Sequence, residues 1–171
     1  MSVSLTRLTL HAVTVVTVVT VALGLSGTAF GPPHITVRPV TDPSTAPAGA
    51  VLLVESMHHT QIADLAVTGR AEGFQNGKRV SMPLQLVHIS VGHFSLAKQW
   101  QDGTPWVLVL SAEEGSNESH GVAEALVKVD ASGRFASIEY PAAGWINNTN
   151  TPRRISAADV DAALAGLVVR R

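Results

Sequence analysis

Five consecutive apolar residues, Trp106-Val107-Leu108-Val109-Leu110, constrain this chain more than any other stretch. Successive side chains of a strand point to opposite faces, so a run that is apolar at every position needs cover on both faces. Such a run belongs in the middle of a sheet. Just before it, Phe94, Leu96 and Trp100 share one parity, with Lys98 the only charge on that side. Gln101 to Pro105, with Asp-Gly inside it, reads as a turn. Gly92 to Leu110 is therefore expected to be two strands joined by that turn.

Other strands follow from alternation and turn chemistry. Ala66 to Phe74 and Arg79 to Ile89 flank Gln75-Asn76-Gly77-Lys78, and Asn-Gly between extended runs is the strongest short-range hairpin signal. On the second of these runs Val80, Met82, Leu84, Leu86 and His88 share a face, apolar except for its last member. Val51 to Met57 is strand-like, Gln61 to Asp64 reads as a turn, and His34 to Val40 reads as a linker or an edge strand because Pro39 supplies no ladder donor. Gly121 to Val129 places Ala123, Ala125, Val127 and Val129 together, and Phe135 to Tyr140 aligns Ala136, Ile138 and Tyr140. Pro141 to Pro152 reads as loop, with Trp145 covering the open end of the fold or contributing to a binding surface.

The period then changes. Val160, Ala163, Leu164, Leu167 and Val168 form a helical stripe behind Ser156 as cap, with Asp159 three residues on and Ile155 placed to staple against Val160. Arg170 and Arg171 would complement the negative end of the helix dipole. The fold class expected is mainly β: an antiparallel immunoglobulin-like sandwich of seven to eight strands with a C-terminal α-helix. Residues 51–145 make the sandwich, 30–50 a Pro-rich linker or edge strand, and 155–171 the helix.

Residues 1–29 follow a signal-peptide plan: Arg7, an apolar run from Ala12 to Leu25, then Ser26-Gly27-Thr28-Ala29. Cleavage after Ala29 leaves 142 of the 171 residues, enough for a sizeable core. The alternative is an uncleaved anchor, although the run is shorter than the roughly 20 residues of a spanning helix. The chain has no cysteine, which excludes disulfides, thiol catalysis and thiolate metal sites. Beyond residue 29 there are 11 Lys and Arg against 13 Asp and Glu, and basic and aromatic residues do not interleave, so nucleic acid is not an expected partner.

Met57, His58 and His59 are the densest group of potential metal ligands, and His88, His93, His120 and Met82 could join them. Thioether and imidazole suit copper. Adjacent strand residues point apart, however, so His58 and His59 could share an ion only where the strand has ended. No G-x-S-x-G elbow, GxGxxG or P-loop occurs, and Glu113-Glu114 reads as a solvated pair in a polar loop. Gly69, Gly73 and Gly77 are explained by hairpin geometry. Asn117-Glu118-Ser119 and Asn147-Asn148-Thr149 fit the glycosylation pattern but carry no weight beside a bacterial-looking export segment. Met57, Met82, Phe94 and the tryptophans fill a core or line an apolar pocket.

Gly92-His93-Phe94 followed by Gly103-Thr104-Pro105-Trp106-Val107-Leu108 resembles the hairpin of small exported bacterial Ig-like domains of the YtkA and FixH type, over roughly Leu65 to Tyr140. The resemblance implies a β-sandwich outside the cytoplasmic membrane; relatives in that group are associated with copper or with respiratory oxidase assembly. The FixH pattern includes a longer anchor, and no copper-carrier ligand motif is matched residue by residue, so fold and location carry over and metal sites do not.

The resulting expectation is an exported, non-catalytic binding or accessory module of the bacterial cell envelope. Its partner is an unspecified protein or small molecule, and it meets the membrane only through residues 1–29 if they are retained. A copper-handling protein using Met57, His58 and His59 and a small hydrolase are the alternatives. A partner-binding role would show as an exposed apolar patch, for instance along the helix if Val160, Leu164 and Leu167 are undocked.

Overall fold

The computed structural model describes residues 33–58, 61–115, 121–141, 144–146, 149–151 and 154–169, with only the backbone described at 144–146 and 149–151. The expected leader, His59, Arg170, Arg171 and the central residues of both glycosylation patterns lie outside the described residues.

In chain order the elements are β1 (Pro33–Pro39), β2 (Ala50–His58), β3 (Gln61–Ile62), β4 (Ala66–Gln75), β5 (Lys78–Pro83), β6 (Leu86–Ser90) and β7 (His93–Ala97). They continue with β8 (Trp106–Glu113), β9 (Val122–Val129), β10 (Phe135–Glu139), β11 (Gly144–Ile146), β12 (Thr149–Thr151) and the helix α1 (Ala157–Val169). One antiparallel sheet has the order β1-β2-β7-β6, with β3 also pairing β2; the other has the order β10-β9-β8-β4-β5. Together they make a β-sandwich with one C-terminal helix.

The strand β8 is where the layers meet. Trp106, Leu108, Leu110 and Ala112 point into the core shared with the first sheet, against Leu52, Val54, Phe94 and Leu96. Val107 and Val109 point the other way, into a second buried cluster with Leu126, Ile155, Val160, Ala163, Leu164 and Leu167. The apolar run is thus covered on one side by a sheet and on the other by α1. The helix stripe is docked, not an exposed patch, and only Val168 of the expected stripe stands out at 48% exposure. Full burial of each large aliphatic side chain contributes about 1.5–3 kcal/mol.

The start of α1 is built as its sequence indicates. The Ser156 Oγ accepts from the Asp159 amide at 3.2 Å, and the Asp159 carboxylate accepts from the Ser156 amide at 2.9 Å, a reciprocal cap. Glu124, 7% exposed on β9, accepts hydrogen bonds from the Ser111 hydroxyl at 2.9 Å and from the Ile155 amide. One carboxylate therefore ties β8, β9 and the residue before the helix cap. Arg79 adds a tie from β5, reaching Asp161 on α1 and Glu72 on β4.

Three expected runs differ from the structure. Gly92 to Leu110 is not a hairpin: β7 pairs β2 and β6 in the first sheet, whereas β8 pairs β4 and β9 in the second. The chain between them crosses the sandwich. Trp100 is buried in the core, and Trp106 donates its indole N–H to the Gln101 carbonyl at 2.8 Å.

Arg79 to Ile89 likewise divides into β5 and β6 on different sheets. Pro83 ends the β5 ladder, the Leu84 amide bonds the Gly69 carbonyl at 2.9 Å, and buried Leu84 turns the corner. Even parity survives the corner, since Val80, Met82, Leu84 and Leu86 all pack in or against the core. On β10 a register shift between Phe135 and Ser137 makes Phe135 and Ile138, not Ala136 and Ile138, the core-facing pair.

Smaller corrections concern short segments. Gln61–Ile62 pairs with β2, and residues expected as loop contain the β11-β12 ladder, in which Trp145 opposes Asn150. The Asn76-Gly77 hairpin is as expected, with φ of 51° and 73° at its centre. Gly73 also has a steric reason: a Cβ there would lie 2.6 Å from the Trp106 ring. β1 is an edge strand, and Pro33 and Pro39 sit at its ends.

Replacing Glu124 by alanine leaves the Ser111 hydroxyl and the Ile155 amide buried without their acceptor. The expected loss is about 1–3 kcal/mol of unfolding free energy, read by urea denaturation. An unchanged midpoint would show that this carboxylate does not hold the helix to the sheet.

Candidate functional site

Strand alternation separates the expected metal ligands. On β2, Leu52, Val54 and Ser56 are buried toward the core and His58 continues that parity, whereas Met57 lies with Leu53 and Glu55 on the opposite face. The His58 Nε2 lies 3.2 Å from a Glu114 carboxylate oxygen. Met57 instead opposes His34 on β1 and Ile62 on β3. Met57 and His58 are therefore not brought to one point, and His59 lies outside the described residues. Among the described residues no group of three or more His, Asp or Glu side chains is arranged to hold a metal ion.

His88 and His93 have separate settings, and His120 lies outside the described residues. His93 Nδ1 lies 2.8 Å from the Val91 carbonyl, and its Nε2 lies 3.9 Å from Glu55, which also pairs with Arg38. The His88 Nε2 lies 2.9 Å from Asp64, and its ring meets Phe94 edge to face at 5.1 Å. Met82 packs against the core, far in role from a ligand. Glu113 and Glu114 do not act as a pair, since Glu113 faces Arg154 at 3.6 Å and Glu114 faces His58.

A cleft of about 550 Å³ opens between the β9-β10 turn and α1, lined by Asp130, Ser132, Arg134, Phe135, Ala136 and Leu167. Its carboxylate is committed to the turn itself. The Ser132 hydroxyl and then the Arg134 amide hold Asp130 down to a pKa of about 2, so it stays an acceptor for the turn and is not poised for proton transfer.

What the structure does gather is an aliphatic strip. Val87 and Val91 are 60% and 62% exposed, Ile89 45% and Ile62 41%. They account for four of the six exposed large apolar side chains among the described residues, and they lie on β6, on the β6-β7 turn and on β3. Ile62 reaches this turn, because a Cβ at Gly92 would sit 2.5 Å from its methyl group. Gly92 has φ of 66° and faces the Ala63 and Ser56 carbonyls, so the turn admits no side chain there.

Sequence parity places Val87 and Ile89 on the outward face. Their location at a free sheet edge is a tertiary fact with no signal in the local pattern.

Asp64 anchors the turn that presents the strip. Its carboxylate accepts from the Gly92 amide at 3.2 Å and contacts His88. These bonds, Gly92 first and His88 second, lower its pKa from the ordinary value of 3.8. No family model matches this chain, and no curated protein or solved structure is significantly similar to it.

The sign of the Asp64 contribution follows from its lowered folded pKa. Its stabilisation is complete above pH 3.8 and is lost as pH falls through the lower folded value. Asp64→Asn should therefore reduce stability at pH 6 and differ less from the parent chain as pH falls below 3.8. Urea titrations at a series of pH values read this; a gap that widens in acid would contradict it.

Proposed function

We propose that this chain is a non-catalytic binding or accessory module of the bacterial cell envelope, and that the strip of Ile62, Val87, Ile89 and Val91 is its recognition surface. The observation that carries the reading is that four of the six exposed large apolar side chains among the described residues lie on the edge strand β6, on the turn after it and on β3, whose Ile62 reaches that turn. Sheet and helix bury the apolar residues of β8 and β9, so these four are not a general failure of packing. Clustered, uncharged aliphatic surface marks sites where another molecule removes it from water.

The export-like leader sequence supports an envelope location, and a two-sheet antiparallel β-sandwich is the coarse fold that the YtkA and FixH resemblance would require. The hydrogen bonds of His88 and His93 run to a carboxylate and a backbone carbonyl, which gives those residues an architectural use.

A photo-crosslinking residue placed at Val87 or Val91 in living cells should yield a discrete adduct, with self or with another envelope component. The same residue at Lys78, on the opposite sheet's edge, should give little. Equal or absent labelling at the three positions would contradict the reading.

A further inference from the structure

We infer that the edge of β6, unpaired among the described residues, pairs with β6 of a second copy of this chain, an inference that rests on reading the aliphatic strip as the recognition surface. The two sheets end in four edge strands, β1 and β6 on one and β5 and β10 on the other. Exposed edges offer rows of backbone N–H and C=O groups, and proteins blunt them with charge, proline or bulges. β1 carries Arg38 and a proline at each end, and β5 carries Lys78, Arg79 and Pro83. β10 carries a register shift at its start and a Glu139 paired with Lys128.

β6 is guarded least. From Leu84 to Val91 the chain reads LQLVHISV, without one Lys, Arg, Asp or Glu. Its one guard is a register irregularity between His88 and Ser90.

That edge dictates the chemistry of what covers it. Only an extended backbone can satisfy a row of ladder donors and acceptors, and only uncharged side chains can lie beside Val87 and Ile89 without losing hydration. A second β6 meets both demands. Paired antiparallel about a two-fold axis, each copy sets its β-branched residues against those of the other, the cross-strand combination that stabilises sheets. His88 brings no unpaired charge to the joint, because Asp64 faces it within the same copy. The irregularity after His88 bends the strand and confines the new ladder to about its first three residues. Self-association is therefore weak and concentration-dependent.

The test is sedimentation velocity of the chain as isolated from cells, over a hundredfold concentration range, with amide exchange of β6 followed in parallel. The expected result is a rise in mass toward the dimer accompanied by slower exchange in β6. Val87→Lys should weaken association by more than about tenfold, since a two-fold axis sets like charges together, while leaving the thermal midpoint unchanged. A monomer at every concentration overturns the inference, as does a dimer that Val87→Lys leaves intact. In either case an adduct to a different envelope component from Val87 would leave the recognition reading standing.

Discussion

The structure depends on one strand being apolar on both faces. Every residue of β8 except Glu113 is buried, and no single layer can satisfy the strand. The first sheet covers Trp106, Leu108, Leu110 and Ala112, and α1 covers Val107 and Val109. Once β8 is central, β4 and β9 must flank it, and the small residues opposite it follow. Gly73 leaves room for the Trp106 ring, and Ala71 and Ala125 lie buried in the same core.

This asymmetry of cover explains where the surface is left open. The second sheet has its outer face under a helix, held by the Ser156-Asp159 cap, by Glu124 and by Arg79. The first sheet has no such layer among the described residues. Its outer face carries Leu53 and Met57 beside a central group in which Glu55 pairs with Arg38 and lies near His93, and β6 closes it without a charged guard. The aliphatic strip thus follows from the fold, because α1 covers the layer that β8 required and no described helix covers the first sheet.

Much of this was legible in the sequence. The parities of Phe94 and Leu96, of Val80 to Leu86, and of Ala125 to Val129 all survive, because alternation is a local property of the extended chain. The Asn76-Gly77 turn and the Ser156 cap were legible for the same reason. Sheet membership was not. β5 and β6, and again β7 and β8, look continuous or hairpin-like in sequence yet belong to opposite sheets, since turning a corner costs only a proline at 83 or a crossing segment at 98–105. Whether a strand lies at an edge depends on those corners, so the strip on β6 could not be read from residues 86–91 alone. The separation of Met57 from His58 could be, from parity.

Amide hydrogen exchange at dilute concentration reads whether β8 needs cover on both of its faces. The slowest exchange is expected in β8 and β9, with protection in α1 close to theirs because the helix is part of their cover, and fast exchange on the outer edge of β6. A helix that exchanges like an unstructured chain while β8 stays protected would show that the strand does not need its second face covered, and would contradict the account.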